Sequence, residues 1–179
     1  ASCVSSVESM LLAQPGVLAA YRNTLVAGLG AVMVGIEPTR GSVRWEVPIT
    51  SPRGTNEVER LADLIGPATR IGNRLCARSF QAAVGCADAE TGRLLWSRNV
   101  GGVNAIGGDE ELIVGADASD RIVAWKTENG DTVWTSERMA LRRLSAPASI
   151  GPAIAFGDVE GYVHFLDRKD GQTLLRLAT

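Results

Sequence analysis

The chain is built on an internal repeat. Four segments end alike: Thr39-Arg40-Gly41-Ser42-Val43-Arg44-Trp45, Glu90-Thr91-Gly92-Arg93-Leu94-Leu95-Trp96, Glu128-Asn129-Gly130-Asp131-Thr132-Val133-Trp134 and Lys169-Asp170-Gly171-Gln172-Thr173-Leu174-Leu175. Their glycines fall 51, 38 and 41 residues apart. Each is preceded by an alternating apolar segment, namely Ala31–Ile36, Ala83–Ala87, Arg121–Trp125 and Tyr162–Leu166. Before that lies another short apolar strand: Thr24–Gly28, Arg74–Arg78, Glu111–Gly115 and Ala153–Gly157. Three units begin near proline, at Pro15, Pro67 and Pro147. A unit of about 40 residues with several short strands and a Gly-x-x-x-Trp ending is the pattern of a β-propeller blade.

Each part of the unit has a physical reason. Polar-Gly turns such as Thr91-Gly92 and Asn129-Gly130 let the chain take a positive φ between the third and fourth strands. The tryptophan that follows is a large apolar plate able to cover the seam between adjacent blades. Alternation along the strands gives both sheet faces something to bury. The Gly-His and Trp-Asp pairs of a WD-type propeller do not occur. The expectation is an all-β partial propeller domain over residues 1–179. Its four four-stranded antiparallel blades run approximately Gly16–Ile49, Pro67–Val100, Val103–Met139 and Pro147–Ala178, with strands borrowed across blade boundaries as a variant.

The first interval carries about ten extra residues, within Thr50-Ser51-Pro52-Arg53-Gly54-Thr55-Asn56-Glu57-Val58-Glu59-Arg60-Leu61-Ala62-Asp63. Connections in compact domains usually run to about 4–6 residues, so an insertion over residues 50–65 is long. It is polar and mixed in charge, which places it on one rim of the propeller, where a rigid scaffold can present a binding loop.

Composition removes several function classes. Twenty acidic against eighteen basic residues give a net charge of −2, no footprint for nucleic acid or an anionic membrane. The longest uncharged runs, Asn23–Ile36 and Leu144–Gly157, hold fourteen residues, short of the roughly 18–20 of a membrane helix. No basic segment followed by an apolar stretch opens the chain, so a signal peptide is expected to be absent or already removed.

Cys3, Cys76 and Cys86 form an odd set without C-x-x-C spacing, and His164 is the only histidine, so a zinc site lacks ligands. A Ser-His-Asp relay could be written around His164. Its place in the alternating run Gly161-Tyr162-Val163-His164-Phe165-Leu166 reads instead as a strand histidine with no catalytic role. Cys76 and Cys86 flank a hairpin turn expected at Phe80-Gln81. Symmetric pairing would set Cys76 opposite Gly85 and Leu75 opposite Cys86, with the thiols on opposite faces unless a bulge shifts the register. Two buried free cysteines are therefore expected, with a disulfide as the lesser alternative.

The repeat resembles the pyrroloquinoline-quinone-like (PQQ-like) propeller repeat. Three segments are more specific: the insertion Gly54–Asp63, the run Leu144-Ser145-Ala146-Pro147, and Gly157-Asp158-Val159-Glu160-Gly161-Tyr162-Val163-His164-Phe165. Together they resemble the BamB family, propeller lipoproteins of the bacterial outer-membrane β-barrel assembly machinery, over nearly all of the chain from about Leu11. The resemblance implies an eight-bladed periplasmic propeller without catalysis or cofactor, tethered to the outer membrane by a lipidated N-terminal cysteine. It implies a scaffold that binds a POTRA domain of BamA and assists the insertion of barrel proteins, with unfolded outer-membrane proteins as further clients.

Two family stretches line that contact. A Leu-x-Leu-Arg segment lands on Met10-Leu11-Leu12-Ala13, where Leu12 is kept and the arginine is Ala13. An Arg-Leu-x-Asp-x-Asp segment lands on Arg60-Leu61-Ala62-Asp63-Leu64-Ile65, where Arg60, Leu61 and Asp63 match and the last aspartate is Ile65. With Asn56 and Glu57 of the same insertion, Leu12, Arg60, Leu61 and Asp63 are the candidate partner-binding residues. The missing arginine removes a charged fork and would change affinity or geometry.

Two other readings compete. A quinoprotein dehydrogenase on the same propeller would need calcium ligands around a cofactor-filled funnel and commonly carries a vicinal cysteine pair, which does not occur here. A generic propeller interaction module is the other, since fold alone never fixes function. Ala1-Ser2-Cys3 looks like a lipoprotein cleavage site, but blade sequence follows directly, so the anchor is expected well upstream and Cys3 is read as an accidental match, a boundary residue or a surface thiol. As four blades of an eight-bladed family, 179 residues are expected to form half a ring with two open faces, closed by a second copy in a homodimer.

Overall fold

The computed structural model describes residues 15–50 and 62–179, which hold only strands, turns and connections. Sixteen strands form four antiparallel four-stranded sheets, each built from four consecutive strands with none borrowed. The first sheet comprises β1 (Leu18–Tyr21), β2 (Thr24–Leu29), β3 (Val32–Glu37) and β4 (Ser42–Pro48). The second comprises β5 (Leu64–Ile71), β6 (Arg74–Ser79), β7 (Ala83–Asp88) and β8 (Leu94–Arg98). The third comprises β9 (Gly107–Gly108), β10 (Leu112–Ala116), β11 (Ile122–Lys126) and β12 (Thr132–Ser136). The fourth comprises β13 (Ala148–Ile150), β14 (Ala153–Gly157), β15 (Tyr162–Asp167) and β16 (Thr173–Ala178). The second and third strands of every blade lie within one residue of the segments read from the repeat.

Successive blades stack face to face on three apolar clusters. Val26, Met33 and Val47 of the first blade meet Leu64, Leu75 and Ala87 of the second. Cys76, Val84 and Trp96 meet Ile113, Val123 and Trp125 of the third. Leu112, Val114 and Trp134 then meet Ile154, Phe156 and Leu166 of the fourth. The burial pattern follows from this stacking. The middle strands of the second and third blades are covered on both faces and read as continuous buried runs, as in β7 and β10. In the end blades β15 alternates and β16 is exposed throughout, because one face of each end blade has no neighbour among the described residues.

The repeated glycine and tryptophan make the seams. Gly41, Gly92, Gly130 and Gly171 all have positive φ, between 67° and 72°. The amide of each donates to the carbonyl four residues earlier, closing the turn between the third and fourth strands. A register shift follows in every blade, between Gly35/Ile36, Cys86/Ala87, Ala124/Trp125 and Phe165/Leu166. Such bulges re-aim a side chain, and here the tryptophan of each of the first three blades turns onto the next blade's glycine. A Cβ on Gly92 would lie 2.6 Å from Trp45, on Gly130 2.5 Å from Trp96, and on Gly171 2.6 Å from Trp134. Trp96 Nε1 also donates to the Thr127 carbonyl, and Trp134 Nε1 to that of Arg168, each at 2.9 Å.

Two expectations are corrected. Cys76 and Cys86 are not free thiols: they stand directly opposite one another, Cα atoms 4.0 Å apart, joined by a disulfide. The reason is the turn. Ser79 pairs with Ala83, so three residues make the connection, with Gln81 at a φ of 48° in the left-handed region. An odd-numbered loop moves the register by one residue from the two-residue turn and puts both sulfurs on one face. The second correction concerns the insertion's end. Leu64 and Ile65 belong to β5, ahead of the expected start at Pro67, because a bulge between Ile65 and Thr69 extends the strand past Pro67. Gly16 bridges to Ile65, tying the edge of the first blade to the second.

Candidate functional site

Because strands alternate in direction, each blade sends its loops to two rims. One rim collects the turns between second and third strands together with the described connections from one blade to the next, and Asp63, just before β5, lies on it. This rim is a belt of backbone hydrogen bonds. Leu64 donates to the Gly30 carbonyl and Phe80 to that of Asp63, both at 2.8 Å; Gln81 donates to Gly102 at 3.0 Å and Leu141 to Ser119 at 3.3 Å. Each connection is thus pinned to a turn of the blade beside it.

Asp63 stands at the foot of the insertion, half-buried between Ala62 and Leu64 in the chain. The Ala62 carbonyl accepts the hydroxyl of Ser79, so the residue is held on both sides. Its Oδ1 faces the Gly30 turn, 3.8 Å from where a Cβ would lie, and its Oδ2 is buried without a hydrogen-bond partner among the described residues. Ile65, where the family pattern has a second aspartate, is 2% exposed and belongs to the blade core. Ile65 therefore offers a partner no surface. Leu12, Asn56, Glu57, Arg60 and Leu61 lie outside the described residues, as does Cys3.

The Gly-Asp-x-x-Gly-Tyr-x-His string forms the matching rim turn of the fourth blade. Asp158 accepts from the amides of Glu160 and Tyr162 at 3.0 and 2.9 Å and from Arg142 Nη1 at 2.9 Å. His164 Nε2 lies 2.7 Å from its Oδ2. The His164 bond, with the amides and Arg142, holds the Asp158 carboxyl far below the usual carboxylate range, against the opposing effect of burial. Arg142 also reaches Glu160 at 2.9 Å, and Arg176 lies over the Tyr162 ring at 3.5 Å. With both partners buried, this histidine and aspartate build a turn and pin the 137–147 connection to it.

A residue that motif reading passed over is Arg78, near the end of β6 and fully buried between the second and third blades. Its Nη1 donates to the carbonyls of Gly101 and Ala116, at 3.2 and 2.6 Å. Burial pushes its pKa down to about 10, against the attraction of Asp117. The signal in the sequence was the glycines around it. A Cβ on Gly102 would lie 1.2 Å from Nη1, and on Gly115 2.6 Å from Nη2. The opposite rim carries a cleft of about 770 Å³ between the third and fourth blades, lined by Glu111, Lys126, Glu128, Asp167 and Lys169 among others. Its lining has charges of both signs and no histidine, cysteine or serine. No group of three or more potential metal ligands occurs among the described residues.

A family model described as "Outer membrane protein assembly factor BamB" matches residues 4–136. The chain belongs to the BamB family. It is 32% identical to the outer membrane protein assembly factor BamB of Burkholderia pseudomallei, over 97% of this chain and 46% of that one. It is 33% identical to the BamB of Bordetella pertussis, over 99% of this chain and 45% of that one. The chain thus spans about half the length of the curated relatives it matches. The crystal structure of BamB from Moraxella catarrhalis shares its fold, with a TM-score of 0.84 at 24% identity, over 94% of this chain and 51% of that chain. The PQQ-like propeller architecture read from the repeat is therefore the BamB architecture, and the relatives' names place them in outer-membrane protein assembly.

Proposed function

We propose that this chain is part of a non-catalytic scaffold of the outer-membrane β-barrel assembly machinery, and that its insertion-bearing rim binds a POTRA domain of BamA. The observation that carries this reading is Asp63. It is the one candidate contact within the described residues, and it is fixed by the belt of rim hydrogen bonds where the family's insertion rejoins the blades. Arg60, Leu61, Asn56 and Glu57 then extend the contact along the insertion, with Leu12 as an apolar contribution from the first stretch. A charged pair beside a short apolar anchor suits a small folded domain with a polar groove. Periplasmic location with outer-membrane association through a lipid anchor belongs to the same reading. The Cys76–Cys86 bridge supports it, since disulfides persist in oxidising compartments.

The test is a pull-down with the immobilised POTRA domains of BamA. The wild-type chain is expected to be retained, and Asp63→Arg to be lost by at least about tenfold while its circular dichroism stays native. Retention of the mutant at the wild-type level would refute the site.

A further inference from the structure

The rim carries a second feature that neither the insertion nor the Asp158 turn explains. Leu141, in the connection between the third and fourth blades, is 84% exposed, the highest value among the large apolar side chains described. Its φ is +63°. A leucine in the left-handed region is a genuine outlier, and burial of the side chain does not compensate for it. Scattered exposed leucines are ordinary, but ones held in strained backbone are not.

The surroundings enforce this conformation. The Leu141 amide donates to the Ser119 carbonyl. Arg143, itself at a φ of +50°, donates its amide to Asp120 Oδ2 at 2.7 Å, and Leu144 donates to Asp120 Oδ1 at 3.0 Å. Leu144 is buried beneath and anchors the loop in the core. Between them Arg142 is fastened to Asp158 and Glu160. Val159, 66% exposed on the neighbouring turn, donates its amide to the Arg142 carbonyl at 3.2 Å and adds a second apolar side chain. Arg138 and Arg143 are exposed to either side of Leu141 and form no ion pair with another described residue. The result is a rigid apolar tip with the exposed side chains of Arg138 and Arg143 beside it, on the same rim as Asp63.

We infer that Leu141, with Val159, is a second anchor of the partner-binding rim and inserts into an apolar pocket edged by carboxylates on the folded partner domain. This rests on the rim reading above and adds the chemistry of its far side. A pinned aliphatic side chain loses little freedom on binding, which is what makes a good anchor. The flanking arginines favour an acidic pocket edge and speed encounter.

The experiment titrates the POTRA domains of BamA against wild type, Asp63→Arg, Leu141→Gly and Leu141→Met, and records Kd and Tm for each. Leu141→Gly relieves the left-handed strain, so its Tm is expected to hold or rise while its affinity falls at least about tenfold. Leu141→Met keeps an apolar tip and is expected to stay within about threefold of wild type. Unchanged affinity of Leu141→Gly, alongside loss in Asp63→Arg, would overturn the second anchor and leave the rim reading standing. A Leu141→Gly variant that loses Tm together with affinity would assign the residue to stability and overturn the anchor. Failure of the wild-type chain to bind would overturn both.

Discussion

Gly130→Ala is expected to cost this chain about 2–5 kcal/mol, at least about 1 kcal/mol more than Gly72→Ala. Both glycines have positive φ, +72° and +57°, so both substitutions carry the backbone penalty of about 1–2 kcal/mol for an L side chain in the left-handed region. The difference lies above them. Nothing is within 4 Å of a Cβ on Gly72, whereas on Gly130 it would meet the Trp96 ring at 2.5 Å. That ring has little room to retreat, because its Nε1 is bonded to Thr127 and its face is packed among Cys86, Ile113 and Trp125. Overpacking of this kind costs about 1–3 kcal/mol. Urea midpoints of the two variants make the comparison, and equal losses would show that the Trp-on-Gly contact does not hold the second blade to the third.

Arg78→Ala is expected to lose about 3–5 kcal/mol in the same measurement, and Arg78→Met distinctly less. The alanine variant leaves a cavity in the seam and strips the Gly101 and Ala116 carbonyls of a donor. Methionine fills much of the volume and removes a buried guanidinium whose Nε and Nη2 have no partner among the described residues. Replacing a buried charge with an apolar side chain of similar volume is often tolerated. A loss below about 1 kcal/mol for Arg78→Ala would mean that the seam closes without the arginine. The functional consequence is positional: Arg78 ties the 99–106 connection to the end of β10, so weakening it would loosen the rim between Asp63 and Leu141.

The parts of this fold legible in the sequence were those set by local rules. The glycine at the third turn, the tryptophan after it and the apolar strands before it are a repeated local solution, and the four sheets follow it closely. Register was not legible where it depended on one loop residue. Gln81 in the left-handed region turned an expected two-residue connection into three, and that alone brought Cys76 and Cys86 together. Of the candidate site, Asp63 was readable from its motif position, but its partly buried state and its fastening to two turns were not. Ile65 looked like a lost charge on a loop and is a core residue of β5.

Arg78 and Leu141 show the limit from the other side. Arginine at the end of a strand reads as a solvated edge residue, and only the stacking of the third blade, with glycines at 102 and 115 leaving the space, buries it. Leucine in a polar connection reads as a residue that seeks the core. What holds it out is Asp120 of another turn, which bonds the amides of Arg143 and Leu144 and commits the backbone. The blade and its period follow from residue order alone, because turn chemistry and strand alternation act within a few residues. Which side chains the rim presents was decided only by tertiary structure, because exposure there depends on contacts between blades far apart in the chain.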